Sequence, residues 1–236
     1  MITPEQNKEI TQYLVSKNLP IDLVLEVKDH MIEQIENMDN LSFNEAFEQV
    51  KISWKEELKM VYNLRIPFKK MTAYQKKIAN KMDSEIFYKT IRFYLPFFIL
   101  SSILTIYNKD LSKNLFFIIY LMISIITAFS LIFYYKISRT INLIKKKSIS
   151  IYQGNSQLFF MGGMYVFIFN FMNFDQRFLK FSNSINLLIQ GDFANTSYFA
   201  IIDTYIFIFG WLIGLFYFLN YRRIISELKQ RINLKI

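Results

Sequence analysis

Asp203 is the side chain whose setting points most directly to chemistry. It is the one charge in the 24 residues from Tyr198 to Tyr221. An ionisable group inside a bilayer is costly and by default faces a bundle interior or a cavity, serving an ion, a proton or a polar solute. Asn170 and Asn173 lie in another apolar run and can share such a path. The competing reading places Asp203 roughly 7 Å from the end of its helix, hydrated and favourable to the helix N-terminus. That shallow depth favours the second reading.

A second constellation is Glu26, Asp29, His30, Glu33 and Glu36. His30 is the chain's one histidine, and with Glu26 and Glu33 it can share one side of a helix as metal ligands. With no second histidine and no cysteine, a metal set lacks donors, so a packing or capping histidine is the better reading. The acidic row is then a surface for a protein partner. A third feature, Gly210-Trp211-Leu212-Ile213-Gly214, is a GxxxG motif that lets another backbone approach closely. Packing within the chain's own bundle is its first use, and a homo-oligomer is the other.

The absences limit the chemistry. There is no phosphate-binding loop of the GxxxxGK[ST] type, no HExxH, and no histidine in the apolar half to complete a serine triad. No catalytic, cofactor or metal residues are assigned, and a non-enzymatic protein without a cofactor is expected.

The elements that hold these residues are mostly apolar helices. Leu115 to Tyr135 runs for 21 residues without a charge, about 31 Å as an α-helix, and a bilayer core is about 30 Å thick. It is apolar all round, as a membrane span is and an amphipathic surface helix is not. Further spans are expected at about 93–107, 158–174 and 198–221, with 108–114 and 175–197 as loops. The first is short and needs a start near Ile86, with Lys89 and Arg92 snorkelling to the interface.

Charge is segregated along the chain. Residues 1–62 carry 12 acids and 6 bases, residues 63–92 carry 2 and 8, and residues 93–236 carry 5 and 14. Lysine and arginine number 18 in segments 63–92, 136–157 and 222–236, against 4 in the two remaining loops. The positive-inside rule therefore predicts four spans with both ends cytoplasmic, and the first 20 residues lack the pattern of a cleavable signal. The basic residues flank apolar spans, so the partner they imply is the anionic inner leaflet and not nucleic acid. Lys69, Lys70, Lys76, Lys77 and Lys81, interleaved with Met71, Tyr74, Ile78 and Met82, suit either a leaflet-bound segment or a solvated connector.

Residues 1–64 read as three amphipathic helices. Thr3-Pro4-Glu5-Gln6 and Ser42-Phe43-Asn44-Glu45 are capping boxes that start the first and third. Val24, Val27, Met31, Ile35 and Met38 mark the buried face of the second. Phe43, Phe47, Val50, Trp54, Leu58 and Val61 mark that of the third, which Pro67 ends.

Glu26-Val27-Lys28-Asp29-His30, Ile32-Glu33 and Ser42-Phe43-Asn44-Glu45-Ala46-Phe47 together resemble the small helical domains called HAAS, and the similar permease-prefix domains, which precede membrane segments in bacterial proteins. The resemblance covers about residues 5–62. Met38-Asp39-Asn40 stands where that family has a turn glycine, and Ile52-Ser53-Trp54-Lys55 where it has Leu-Gly-Asp-Pro. It implies a role in signalling or interaction, often alongside PadR-type transcriptional regulators.

The expectation is an all-α protein: a cytosolic three-helix domain (1–64), a basic connector (65–92), a four-helix transmembrane bundle (93–221) and a basic cytosolic tail (222–236). It is expected in the cell membrane, engaging a cytosolic or membrane protein partner through residues 1–62. The alternative is a small transporter, or the membrane subunit of one, using Asp203, Asn170 and Asn173.

Overall fold

A computed structural model describes residues 2–62, 70–143 and 149–232. Among these residues the chain is all-α apart from one short hairpin. Its elements are α1 (Pro4–Ser16), α2 (Ile21–Glu36), α3 (Phe43–Ser53), β1 (Met60–Tyr62), β2 (Lys70–Thr72), α4 (Ala73–Tyr107), α5 (Lys109–Leu143), α6 (Gln157–Tyr165), a π-helix (Val166–Phe171), α7 (Phe174–Ile189) and α8 (Tyr198–Ile232). They form two compact units.

The first unit comprises Met1–Ser84, Ile141–Ile151 and Ile224–Ile236. Both capping boxes form. Thr3 N–H donates to Gln6 Oε1 at 2.8 Å and Ser42 N–H to Glu45 Oε2 at 3.0 Å, with the reciprocal bonds present. Each satisfies donors that a helix start leaves open. Asn18, at φ 57°, ends α1 in the left-handed region that asparagine tolerates, ahead of Pro20. Ile10, Leu14, Val27, Met31, Phe47 and Val50 form the centre of the core, with Trp54 and Leu58 at its edge.

The third helix ends at Ser53 and not at Pro67, which lies outside the described residues. The Glu57 and Lys59 carbonyls accept from the Tyr74 and Ala73 N–H groups at 2.7 and 2.9 Å. A continuing α3 would keep those carbonyls for itself; released, they satisfy the open N-terminus of α4. Trp54 fixes the exit, its indole N–H donating to Gln34 Oε1 at 3.0 Å and its ring meeting Tyr74 edge-on at 5.6 Å. The antiparallel hairpin then pairs Met60 with Thr72 and Val61 with Met71.

The segment expected as a connector is thus the start of a continuous 35-residue α4. Met71 and Met82 are buried, and Tyr74 and Ile78 pack against the core of this unit. Protein therefore covers the apolar stripe that the leaflet-bound reading gave to lipid. Of the lysines in that patch, Lys69 lies outside the described residues, as do Lys145, Lys146 and Lys147 of the later connection.

Asp22 ties a distant stretch into this unit. Its N–H donates to the Ile149 carbonyl at 3.1 Å, and its Oδ2 accepts from Ile151 N–H at 3.3 Å. Ile149 and Ser150 are buried there, so the compact body takes in chain well beyond residue 64.

The second unit comprises Glu85–Thr140 and Tyr152–Arg223. Its core is aromatic. Phe116 meets Phe181 at 5.2 Å and Tyr205 at 6.1 Å, and Phe159 stacks on Phe218 at 4.9 Å. Gly163 lies where a Cβ would collide with the Thr127 side chain, and Gly214 where one would collide with the backbone of Leu158 and Phe159. These small residues let α6 approach α5 and α8 closely. The Trp211 indole N–H donates to Thr127 Oγ1 at 3.1 Å beside that crossing.

Three helices, α4, α5 and α8, are long and apolar enough to cross a membrane. At 35 residues each they reach about 52 Å. The expected runs 93–107, 115–135 and 198–221 fall within them. The third expected run, 158–174, does not form one straight helix. It becomes α6 and the π-helix, breaks at Met172–Asn173, and continues as α7 after a bend of 88°. Counted as one span, the bent pair makes four.

Residues 175–197, expected as a loop, contain most of α7 instead. Phe174, Phe178, Phe181 and Ile185 are buried along one helical stripe. Burial of that stripe against Phe116 holds a segment whose average polarity reads as loop.

Candidate functional site

Asp203 lies in the first turns of α8, 6% exposed. Protein groups take both of its oxygens, where the hydrated reading expected solvent. Tyr165 Oη–H, from the last position of α6, donates to its Oδ1 at 2.6 Å. Arg177 Nη1, from α7, donates to its Oδ2 at 2.5 Å. The reason for the difference is α7: with that helix formed, a cation reaches a position where linear distance along α8 predicts solvent.

The same Arg177 Nη1 donates to Asn170 Oδ1 at 3.1 Å. Asn170 sits in the π-helix and is 2% exposed, and its Nδ2 has no hydrogen-bond partner among the described residues. A π-turn inserts an extra residue into the helical ladder and re-aims side chains, and such turns recur at functional sites. The guanidinium lies 5.8 Å from the centre of the Phe169 ring, and the Tyr165 ring stacks on Phe207 at 3.6 Å. Three helices and a π-turn thus converge on one ion pair. Each Asp203 oxygen accepts a charged or hydroxyl donor, which offsets the cost of burying the carboxylate.

The structure brings Asp203 and Asn170 together through Arg177. Asn173 is the N-cap residue of α7 and lines a neighbouring hollow with Lys113 and Asp175, themselves paired at 2.7 Å. Arg177 and Tyr165 are the members that the sequence reading missed. Arg177 falls three residues after Phe174 and four before Phe181, a cation on the apolar face of a helical stripe; that spacing is the available signal.

The two glycines of the GxxxG motif part ways. Gly214 packs against α6, whereas nothing lies within 4 Å of a Cβ at Gly210. The helix-packing role assigned to both belongs, within this chain, to Gly214, because the crossing at α6 passes one turn beyond Gly210.

Glu26, Asp29, His30, Glu33 and Glu36 all lie exposed along α2. Glu26 Oε1 accepts from Tyr74 Oη–H at 3.0 Å, Glu36 Oε1 accepts from Ile2 N–H at 3.2 Å, and His30 Nδ1 is 3.9 Å from Glu33 Oε2. Among the described residues no group of three or more histidines or carboxylates is placed to hold a metal ion.

The chain matches no family model, no curated protein and no solved structure.

Proposed function

We propose that this is a multi-pass protein of the cell membrane whose N-terminal helical unit docks a protein partner on the cytosolic side. The observation that carries the reading is the exposed row Asp29, His30 and Glu33, flanked by Glu26 and Glu36, on a helix whose other side is fully committed to the core. The resemblance of residues 5–62 to HAAS and permease-prefix domains supports it. The protein acts without catalysis. Positive-inside counting places both ends in the cytosol, so the bent pair makes one crossing: α6 and the π-helix carry the chain outward and the amphipathic α7 rests at the outer surface. The basic segments meet anionic lipid at the inner leaflet.

The test is affinity capture from native membranes, comparing wild type with Asp29→Lys/Glu33→Lys. Loss of a co-purifying protein in a variant that folds normally supports the reading; an unchanged set of captured proteins overturns it.

One observation favours a second reading, a small transporter or the membrane subunit of one. Asp203, Arg177 and Asn170 meet at a helix break, the arrangement on which discontinuous helices build solute sites. Asp203→Asn then abolishes solute flux in reconstituted vesicles and leaves partner capture untouched.

A further inference from the structure

The polar cluster in the second unit has its acceptors filled and a donor to spare. Asp203 accepts on both oxygens, from Tyr165 and Arg177, and Asn170 Oδ1 accepts from Arg177. Among the described residues the Asn170 Nδ2 amide donates to nothing, although the residue is buried. A donor left unmade in a buried place forfeits its hydration without return, so the position is complete only with an acceptor beside it. Arg177 cancels Asp203, so net charge draws neither ion, and the choice falls to the unmade bond: a donor calls for an acceptor.

The guanidinium also has reach to offer. Its bonds to Asp203 and Asn170 both leave from one nitrogen, Nη1, and the side chain is one-third exposed. The planar fork of arginine matches the paired oxygens of carboxylates and phosphates. We infer that Asn170 and Arg177 form a binding site for an oxyanion, a carboxylate or phosphate group, with Asp203 and Tyr165 as the positioning residues that hold the guanidinium in place. The inference rests on the transport reading and supplies its substrate class. A free anion and the phosphate of a lipid headgroup share this chemistry.

The test uses the full chain, with its arginine and asparagine side chains labelled with 15N, in a nonionic maltoside detergent that contains no phosphate. Acetate, inorganic phosphate and a short-chain phosphatidylglycerol are titrated separately while the Asn170 amide and Arg177 guanidinium resonances are followed. A saturable shift with acetate or inorganic phosphate identifies a free oxyanion, and one with the phospholipid alone identifies a headgroup. In either case Asn170→Leu, which keeps the Asp203–Arg177 pair, weakens binding at least tenfold, and Arg177→Lys does so by losing the fork while keeping the charge. Binding seen through Arg177 that is equally tight in Asn170→Leu overturns the site, as does the absence of any saturable shift. If Asp203→Asn stops solute flux while no oxyanion moves these resonances, transport stands and the oxyanion assignment falls. If an oxyanion binds but nothing is carried across vesicles, the site stands and transport falls.

Discussion

Asp203 is buried and Asp22 half-buried, and each carboxylate is governed by what it meets. Asp203 meets Arg177 and Tyr165. Removing one partner of a buried ion pair leaves the other charge uncompensated, at a cost of about 3–5 kcal/mol, whereas replacing both by apolar side chains is often neutral. Arg177→Ala is therefore expected to lower the unfolding midpoint in detergent strongly, and Arg177→Met/Asp203→Leu to recover most of the loss; if the double variant is no better than the single, the pair is not the cause. Asp22 meets the Ile149–Ile151 stretch. Burial pushes its carboxyl above the usual 3.8, outweighing hydrogen bonds from Ser150, Leu23 and Ile151 that pull it down. A folded-state pKa above the unfolded one means that the folded form binds more protons in between. The stabilising effect of protonation is thus present at low pH and lost as pH rises from about 3.9 through the folded value. Glu45 runs the other way, because hydrogen bonds from Ser42 hold it below its ordinary value. The comparison that isolates Asp22 is wild type minus Asp22→Asn: the difference in thermal midpoint should move against wild type as pH rises through that window. A flat difference refutes the assignment.

At the scale of elements, close helix crossings decide the second unit. Gly214 faces the Leu158–Phe159 backbone, and backbone cannot swing aside as a flexible side chain can. Gly214→Ala should cost about 1–3 kcal/mol through overpacking, while Gly210→Ala, with open space around it, should be neutral or stabilise by roughly 0.5–1 kcal/mol through helix propensity. Chemical unfolding of the two variants side by side checks this, and equal losses would mean that the crossing lies elsewhere. The bend after the π-helix belongs to this scale too. Phe181 sits at the centre of the α7 stripe, against Phe116 and Tyr205. Truncation to alanine should remove about 3–5 kcal/mol and loosen α7, with faster hydrogen exchange from Phe174 to Ile189 as the readout.

For the whole molecule, the number of crossings turns on the bent pair: three spans without it, four with it. The chain has no cysteine, so single cysteines report without background. With four crossings and both ends inside, a cysteine at Asn195 is labelled in intact cells by a membrane-impermeant maleimide, and one at Lys59 only after lysis. Labelling of both positions, or of neither, refutes that arrangement. The gathering of lysine and arginine in segments 63–92, 136–157 and 222–236, more than the net +9, underlies the expected orientation.

Much of this was legible in the residues themselves. The apolar runs in α5 and α8 are long enough to read without context, because a bilayer selects on length and hydropathy, both properties of contiguous sequence; the shorter run in α4 reads as a span only with its flanking residues. The capping boxes at Thr3 and Ser42 are local as well, their partners three residues away. Contacts between distant residues decided the rest. The end of α3 at Ser53 depends on carbonyls taken by Ala73 and Tyr74. The formation of α7 depends on Phe116, nearly 60 residues earlier in the sequence. Asp203 was conspicuous by type, but its depth along one helix predicted water. Folding instead supplies an arginine, because burial is set by what packs across from a residue and not by its distance from a helix end.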